Sequence, residues 1–86
     1  MDIGVEISLY PLQVDFAPVI HDFLARLSAQ AGLRIVTSSM STQLFGNYEH
    51  VMSTLQRELH TTFAALGNDA HKAVFVMKVM GPLPPA

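Results

Sequence analysis

The chain has 86 residues, half of them hydrophobic and 14% charged, with a formal net charge of −2 and no cysteine. That length fits one domain, which buries only about 60% of its extended-chain surface. Disulfides and thiolate metal sites are excluded, and Arg26, Arg34, Arg57, Lys72 and Lys78 are too scattered to make a stripe for nucleic acid or an anionic membrane.

Met1-Asp2-Ile3-Gly4 lacks the basic and apolar regions of a leader, and no apolar run approaches a membrane span. The expected location is the cytoplasm, with no membrane insertion. So apolar a composition in so small a domain predicts apolar surface buried between subunits.

Ile3 to Tyr10 alternates. Ile3, Val5, Ile7 and Leu9 fall on one side, and Gly4, Glu6, Ser8 and Tyr10 on the other. Period two reads as a strand with one face in the core, ended by Pro11, which cannot donate to a ladder. Asp15 is placed to cap a helix with Pro18 in its first turn. Phe16, Ile20, Phe23, Leu24, Leu27 and Ala31 form its apolar stripe, and Gly32 suits the position past its end. Asp22 and Arg26 have the spacing of an i, i+4 ion pair.

Leu33 to Met40 alternates again, and Ser41 to Gly46 continues extended after a turn near Ser38–Ser41. Asn47 can cap a second helix with the stripe Val51, Leu55, Leu59, Phe63 and Leu66. Gly67-Asn68-Asp69 stops it. Ala73 to Met80 is the last strand, with Ala73, Phe75, Met77 and Val79 on the core side. Residues 81–86 read as a loose Pro-rich tail.

The order β-α-β-β-α-β over residues 1–80 predicts one ferredoxin-like α+β domain, an antiparallel sheet with two helices on one face. The other face is left bare. It carries Glu6, Ser8, Tyr10, Val36, Ser38, Gln43, Phe45, Val74, Val76 and Lys78, a mixture that predicts a homo-oligomer, dimer or tetramer, formed through the sheet.

No catalytic constellation is present. No two of His21, His50, His60 and His71 have the i, i+3 or i+4 spacing of a helical metal site, so they read as solvated histidines. There is no nucleophile elbow and no Gly-rich phosphate loop. No cofactor and no metal are expected. The run Thr37-Ser38-Ser39-Met40-Ser41-Thr42-Gln43 does stand out, because it offers hydroxyls, an amide and a thioether across a strand–turn–strand. Hydroxyls both donate and accept, which suits the edge of a heterocycle. An exposed serine-rich turn would look the same. Glu6, Ser8 and Tyr10 belong to the same bare face, where a carboxylate could meet an amino group or a cationic ring and Tyr10 could stack.

The segments VEISLYPL, TSSMSTQLFGNYEHVMSTL and AVFVMKV resemble the YkoF-type thiamine/hydroxymethylpyrimidine-binding family. The most specific piece is Ser-Leu-Tyr-Pro followed by Thr37, Met40, Ser41, Thr42 and Gly46. The resemblance implies a non-catalytic binding protein for thiamine or its hydroxymethylpyrimidine moiety, linked to uptake or salvage and assembled through its sheet. It implies hydrogen bonds to the aminopyrimidine from Ser8, Thr37, Ser38, Ser41, Thr42 and Gln43. Glu6 would offset the thiazolium or accept from the amino group, while Tyr10 and Met40 would pack on the ring. Two other readings are compatible with the fold: a cofactor-free dimeric oxygenase, and an assembly or regulatory domain without a ligand.

Overall fold

The computed structural model describes residues 1–67 and 71–84. Its elements follow in the order β1 (Asp2–Pro11), α1 (Ala17–Ser28), β2 (Arg34–Thr37), β3 (Thr42–Asn47), α2 (Tyr48–Leu66) and β4 (Ala73–Leu83). The four strands form one antiparallel sheet in the order β2-β3-β1-β4. Each helix therefore crosses over one strand: α1 links β1 to β2 past β3, and α2 links β3 to β4 past β1. This is the ferredoxin-like α+β fold that the alternation predicts.

The core follows from the two periodicities. Ile3, Val5 and Ile7 of β1 and Leu44 of β3 meet Phe23 and Leu27 of α1 and Val51 and Leu55 of α2, all buried. Burying each such side chain contributes roughly 1.5–3 kcal/mol. Both helices thus lie on one face of the sheet. The outer strand β4 is covered only in part: Phe75 packs on the core, with rings at 5.1 Å from Phe23 and 5.4 Å from Phe63, yet Met77 and Val79 on the same side stay exposed. They were expected in the core with Phe75, but two helices are too narrow to roof an edge strand. Phe63, the outlier of its stripe, is likewise exposed.

The helix ends differ. Asn47 caps α2 as expected, its Oδ1 accepting from the N–H groups of Glu49 at 3.1 Å and His50 at 3.4 Å. Asp15 does not cap α1. The cap position is Phe16, with no side-chain bond, because the Gln13 amide donates to the Asp15 carbonyl at 2.8 Å and holds that residue in the preceding bend. Gly32 stands three residues past the Ala29 cap, at φ +81° in the turn into β2, a conformation that suits glycine. Gly67 ends α2; Asn68 and Asp69 lie outside the described residues.

Arg26 pairs across the helices rather than with Asp22. Its Nε lies 2.6 Å from Oε2 of the buried Glu58, and its Nη2 donates to Thr62 at 2.7 Å. The buried Glu58 would be costly to leave without a cation, whereas Asp22 is exposed and solvated, so Arg26 is held by Glu58. Arg57 adds a bond to Glu58 at 3.3 Å.

Two strand boundaries move. β2 covers only Arg34–Thr37, because the residues after it turn at once into β3. β4 runs on through Gly81, Pro82 and Leu83, with Leu83 paired to Asp2 beyond a register shift. These three residues belong to the sheet, not to a loose tail, since β1 begins at Asp2 and offers them a partner. Among the described residues no helix is long and apolar enough to cross a membrane.

Candidate ligand-binding cleft

The cleft arises where β1 outruns β3. The last β1–β3 pair is Ile7 with Thr42, whereas β1 continues beside β4 to Pro11 and Ala73. The space vacated next to Ser8–Pro11 is closed on one side by the turn between β2 and β3 and on another by the first turns of α1. The resulting cleft has a volume of about 510 Å³.

The turn is held by one serine. Ser38 N–H donates to the Ser41 carbonyl at 2.9 Å, and the Ser38 hydroxyl donates to the same carbonyl at 3.2 Å. That hydroxyl also accepts from the N–H groups of Met40 at 3.3 Å and Ser41 at 3.4 Å. Ser39 and Met40 are left at the tip, with the Met40 side chain exposed. Three tethers fix the turn to the sheet. Ser8 Oγ donates to the Met40 carbonyl at 3.4 Å, Thr42 Oγ1 to Thr37 Oγ1 at 3.4 Å, and Ser41 Oγ to Glu6 Oε2 at 3.1 Å. The other Glu6 oxygen lies 3.9 Å from Lys78 Nζ.

Of the nine expected ligand-binding residues, Ser8, Tyr10, Thr37, Ser38, Met40, Ser41 and Thr42 line this cleft. Glu6 and Gln43 do not. They sit opposite each other on the open face of the sheet, and Glu6 reaches the cleft only through Ser41. Thr42 is buried, while Ser38 spends its hydroxyl on the turn. The open face otherwise carries the expected residues: Ser8 pairs with Val76, Tyr10 with Val74, Glu6 with Lys78, and Val36 with Gln43.

The apolar wall was not anticipated. Phe16, at the N-cap of α1, and Ile20, Phe23 and Leu24 of α1 line the cleft, together with Leu12 and neighbouring residues of β1. Their spacing gives the same amphipathic signal whether a stripe meets core or cavity. Phe16 and Leu12 are more than half exposed at the mouth, the mark of apolar surface in excess of what the core needs. Among the described residues, Tyr10 is the one ionisable side chain that lines the cleft.

A second hollow of about 430 Å³ occupies the opposite end of the sheet, where the Arg34 guanidinium lies 4.1 Å from the centroid of the Phe45 ring. Among the described residues no three His, Asp or Glu side chains gather to hold a metal, and His21, His60 and His71 are exposed.

These features define a small ferredoxin-like domain with a half-apolar, half-hydroxyl cleft at one sheet end. The sequence model of the YKOF-related family matches residues 2–77, and the chain belongs to that family. A Streptococcus pneumoniae protein has the same fold at 20% identity and a TM-score of 0.84, covering 96% of this chain and 89% of its own. A Thermotoga maritima protein, proposed to act in thiamine biosynthesis or salvage, superposes at 15% identity and a TM-score of 0.80 over 95% of this chain and 85% of its own. A Methanocaldococcus jannascii protein of unassigned role does so at 17% identity and a TM-score of 0.76, over 99% and 84%. A search of curated proteins finds no match.

Proposed function

We propose that the protein binds thiamine through its hydroxymethylpyrimidine moiety, without chemical turnover, in the cleft beside Ser8–Pro11. The observation that carries this reading is the cleft's mixed lining, which brings the hydroxyl-bearing Ser8, Thr37, Ser41 and Thr42 together with the apolar Phe16, Ile20 and Leu24. A planar, polar-edged ring fits such a lining, and about 510 Å³ is in the range of small-molecule sites, roughly 300–1,000 Å³. Thr37, Ser41 and Thr42 serve as hydrogen-bond partners, Tyr10 and Met40 pack on the ring, and Ser38 shapes the turn. Glu6 acts through Ser41 and offsets the thiazolium charge at a distance, while Gln43 borders the site from the open face. Family membership and the role proposed for the Thermotoga neighbour support the ligand. Acid–base chemistry such as an oxygenase needs would call for a base at the ring, and among the described residues no His, Asp or Glu side chain lines the cleft.

The same reading includes assembly through the sheet. Val36, Val74, Val76 and Met80 are exposed on the open face. These side chains are already about half covered, so the eight that two-fold symmetry brings together contribute roughly 6–12 kcal/mol, comparable to an association cost of roughly 4–15 kcal/mol. Val76→Glu places an unpaired carboxylate at the centre and is expected to split the oligomer in light scattering. A wild type that stays monomeric at high concentration refutes the assembly. Calorimetry with thiamine and with hydroxymethylpyrimidine tests the ligand: saturable heat is expected, and the absence of heat and of any thermal shift at millimolar ligand contradicts the reading.

A further inference from the structure

We propose that the main-chain N–H and C=O of Leu9 form the recognition edge of the cleft, taking a planar heterocycle that presents a ring-nitrogen acceptor beside an amino donor. The inference rests on the cleft being the binding site and goes further, to the atoms that read the ligand.

Strand geometry supplies the orientation. In an antiparallel ladder, alternate residues direct both main-chain groups to the same neighbour. The Met1 carbonyl accepts from Tyr48 N–H at 2.9 Å, in line with the β1–β3 register, so odd-numbered residues of β1 face β3. Leu12 N–H donates to the Lys72 carbonyl at 2.7 Å, in line with the β1–β4 register, so even-numbered residues face β4. Pro11 agrees with this, since its missing N–H falls on the side where no strand needs it.

Leu9 therefore points its N–H and C=O toward β3, where the ladder has already ended at Ile7 and Thr42. Continued by one step of two residues, the register would set Leu9 against Met40. Met40 is otherwise engaged. Its N–H donates to Ser38 Oγ at 3.3 Å, and its carbonyl accepts from Ser8 Oγ at 3.4 Å. Among the described residues no hydrogen bond outside the ladders reaches Leu9 N or O. Leu9 is half-buried and lines the cleft together with Met40. A polar main-chain pair in that setting calls for a partner.

The two groups of one residue lie parallel, donor beside acceptor. A 4-aminopyrimidine offers the complement: its ring nitrogen accepts and its amino group donates. Its 4-oxo counterpart inverts the pattern, setting N–H against N–H and carbonyl against carbonyl at equal size. A site that relies on such bonds rejects the inverted edge strongly.

The test titrates the ¹⁵N-labelled full-length chain with hydroxymethylpyrimidine and with its 4-oxo counterpart. The 4-amino compound is expected to bind at least about tenfold more tightly. It should also move the Leu9 amide resonance downfield while leaving the paired Ile7 amide nearly in place. Equal affinity for the two compounds, or binding with the Leu9 amide unmoved, overturns the Leu9 edge and leaves the cleft as the site. Binding of neither compound overturns the thiamine reading, and the Leu9 edge with it.

Discussion

The two halves of β1 do different work with the same alternation. From Ile3 to Ile7 the strand is flanked by β3 and β4, its odd side chains are buried, and its main chain is paired on both sides. From Ser8 to Pro11 only β4 accompanies it, and the other side opens into the cleft. A strand that stops four residues short of its neighbour leaves a cavity with a ready-made polar edge. The stability of the domain lives in the first half, and the proposed recognition chemistry in the second.

That division can be broken most heavily from the paired half. Leu44→Ala, opposite Val5 and fully buried, is expected to cost about 2–5 kcal/mol in chemical denaturation by leaving a cavity. Its folded fraction should keep wild-type affinity for hydroxymethylpyrimidine. Ser38→Ala acts at the junction. It deletes the hydroxyl that holds the turn and is expected to cost about 1 kcal/mol, with affinity falling severalfold as Met40 shifts toward Leu9. A loss of stability with affinity intact would show that the turn does not shape the cleft. Tyr10→Ala sharpens the contrast from the unpaired half. The side chain is 54% exposed, so the stability change should stay within about 0.5 kcal/mol, while calorimetry should show affinity reduced by about tenfold. An unchanged affinity would remove Tyr10 from the site.

The sequence made some of this legible because some signals are local. Alternation from Ile3 to Tyr10 reports a half-buried strand wherever its partners lie, and Asn47 caps the helix that starts at the next residue. The hydroxyl run around Ser38 marked the turn because the same side chains that stand out in the sequence close it. What was hidden depends on partners far along the chain. Arg26 finds Glu58 at a separation of 32 residues, so the nearby Asp22 looked the better mate. The extension of β4 to Leu83 needs Asp2, at the other end of the chain. Phe16, Ile20 and Leu24 carry an apolar stripe that does not say whether protein or ligand will cover it. The orientation of Leu9 depends on two registers at once, and no residue type announces it.

The proposed ligand occupies one end of the sheet, although the other end offers a hollow of comparable size. A crystal structure of the protein with hydroxymethylpyrimidine bound tests this placement most directly. The ring is expected between Tyr10, Thr37 and Phe16, with its aminopyrimidine edge on Leu9. A ring seated instead against Arg34 and Phe45, at the opposite end, would contradict it.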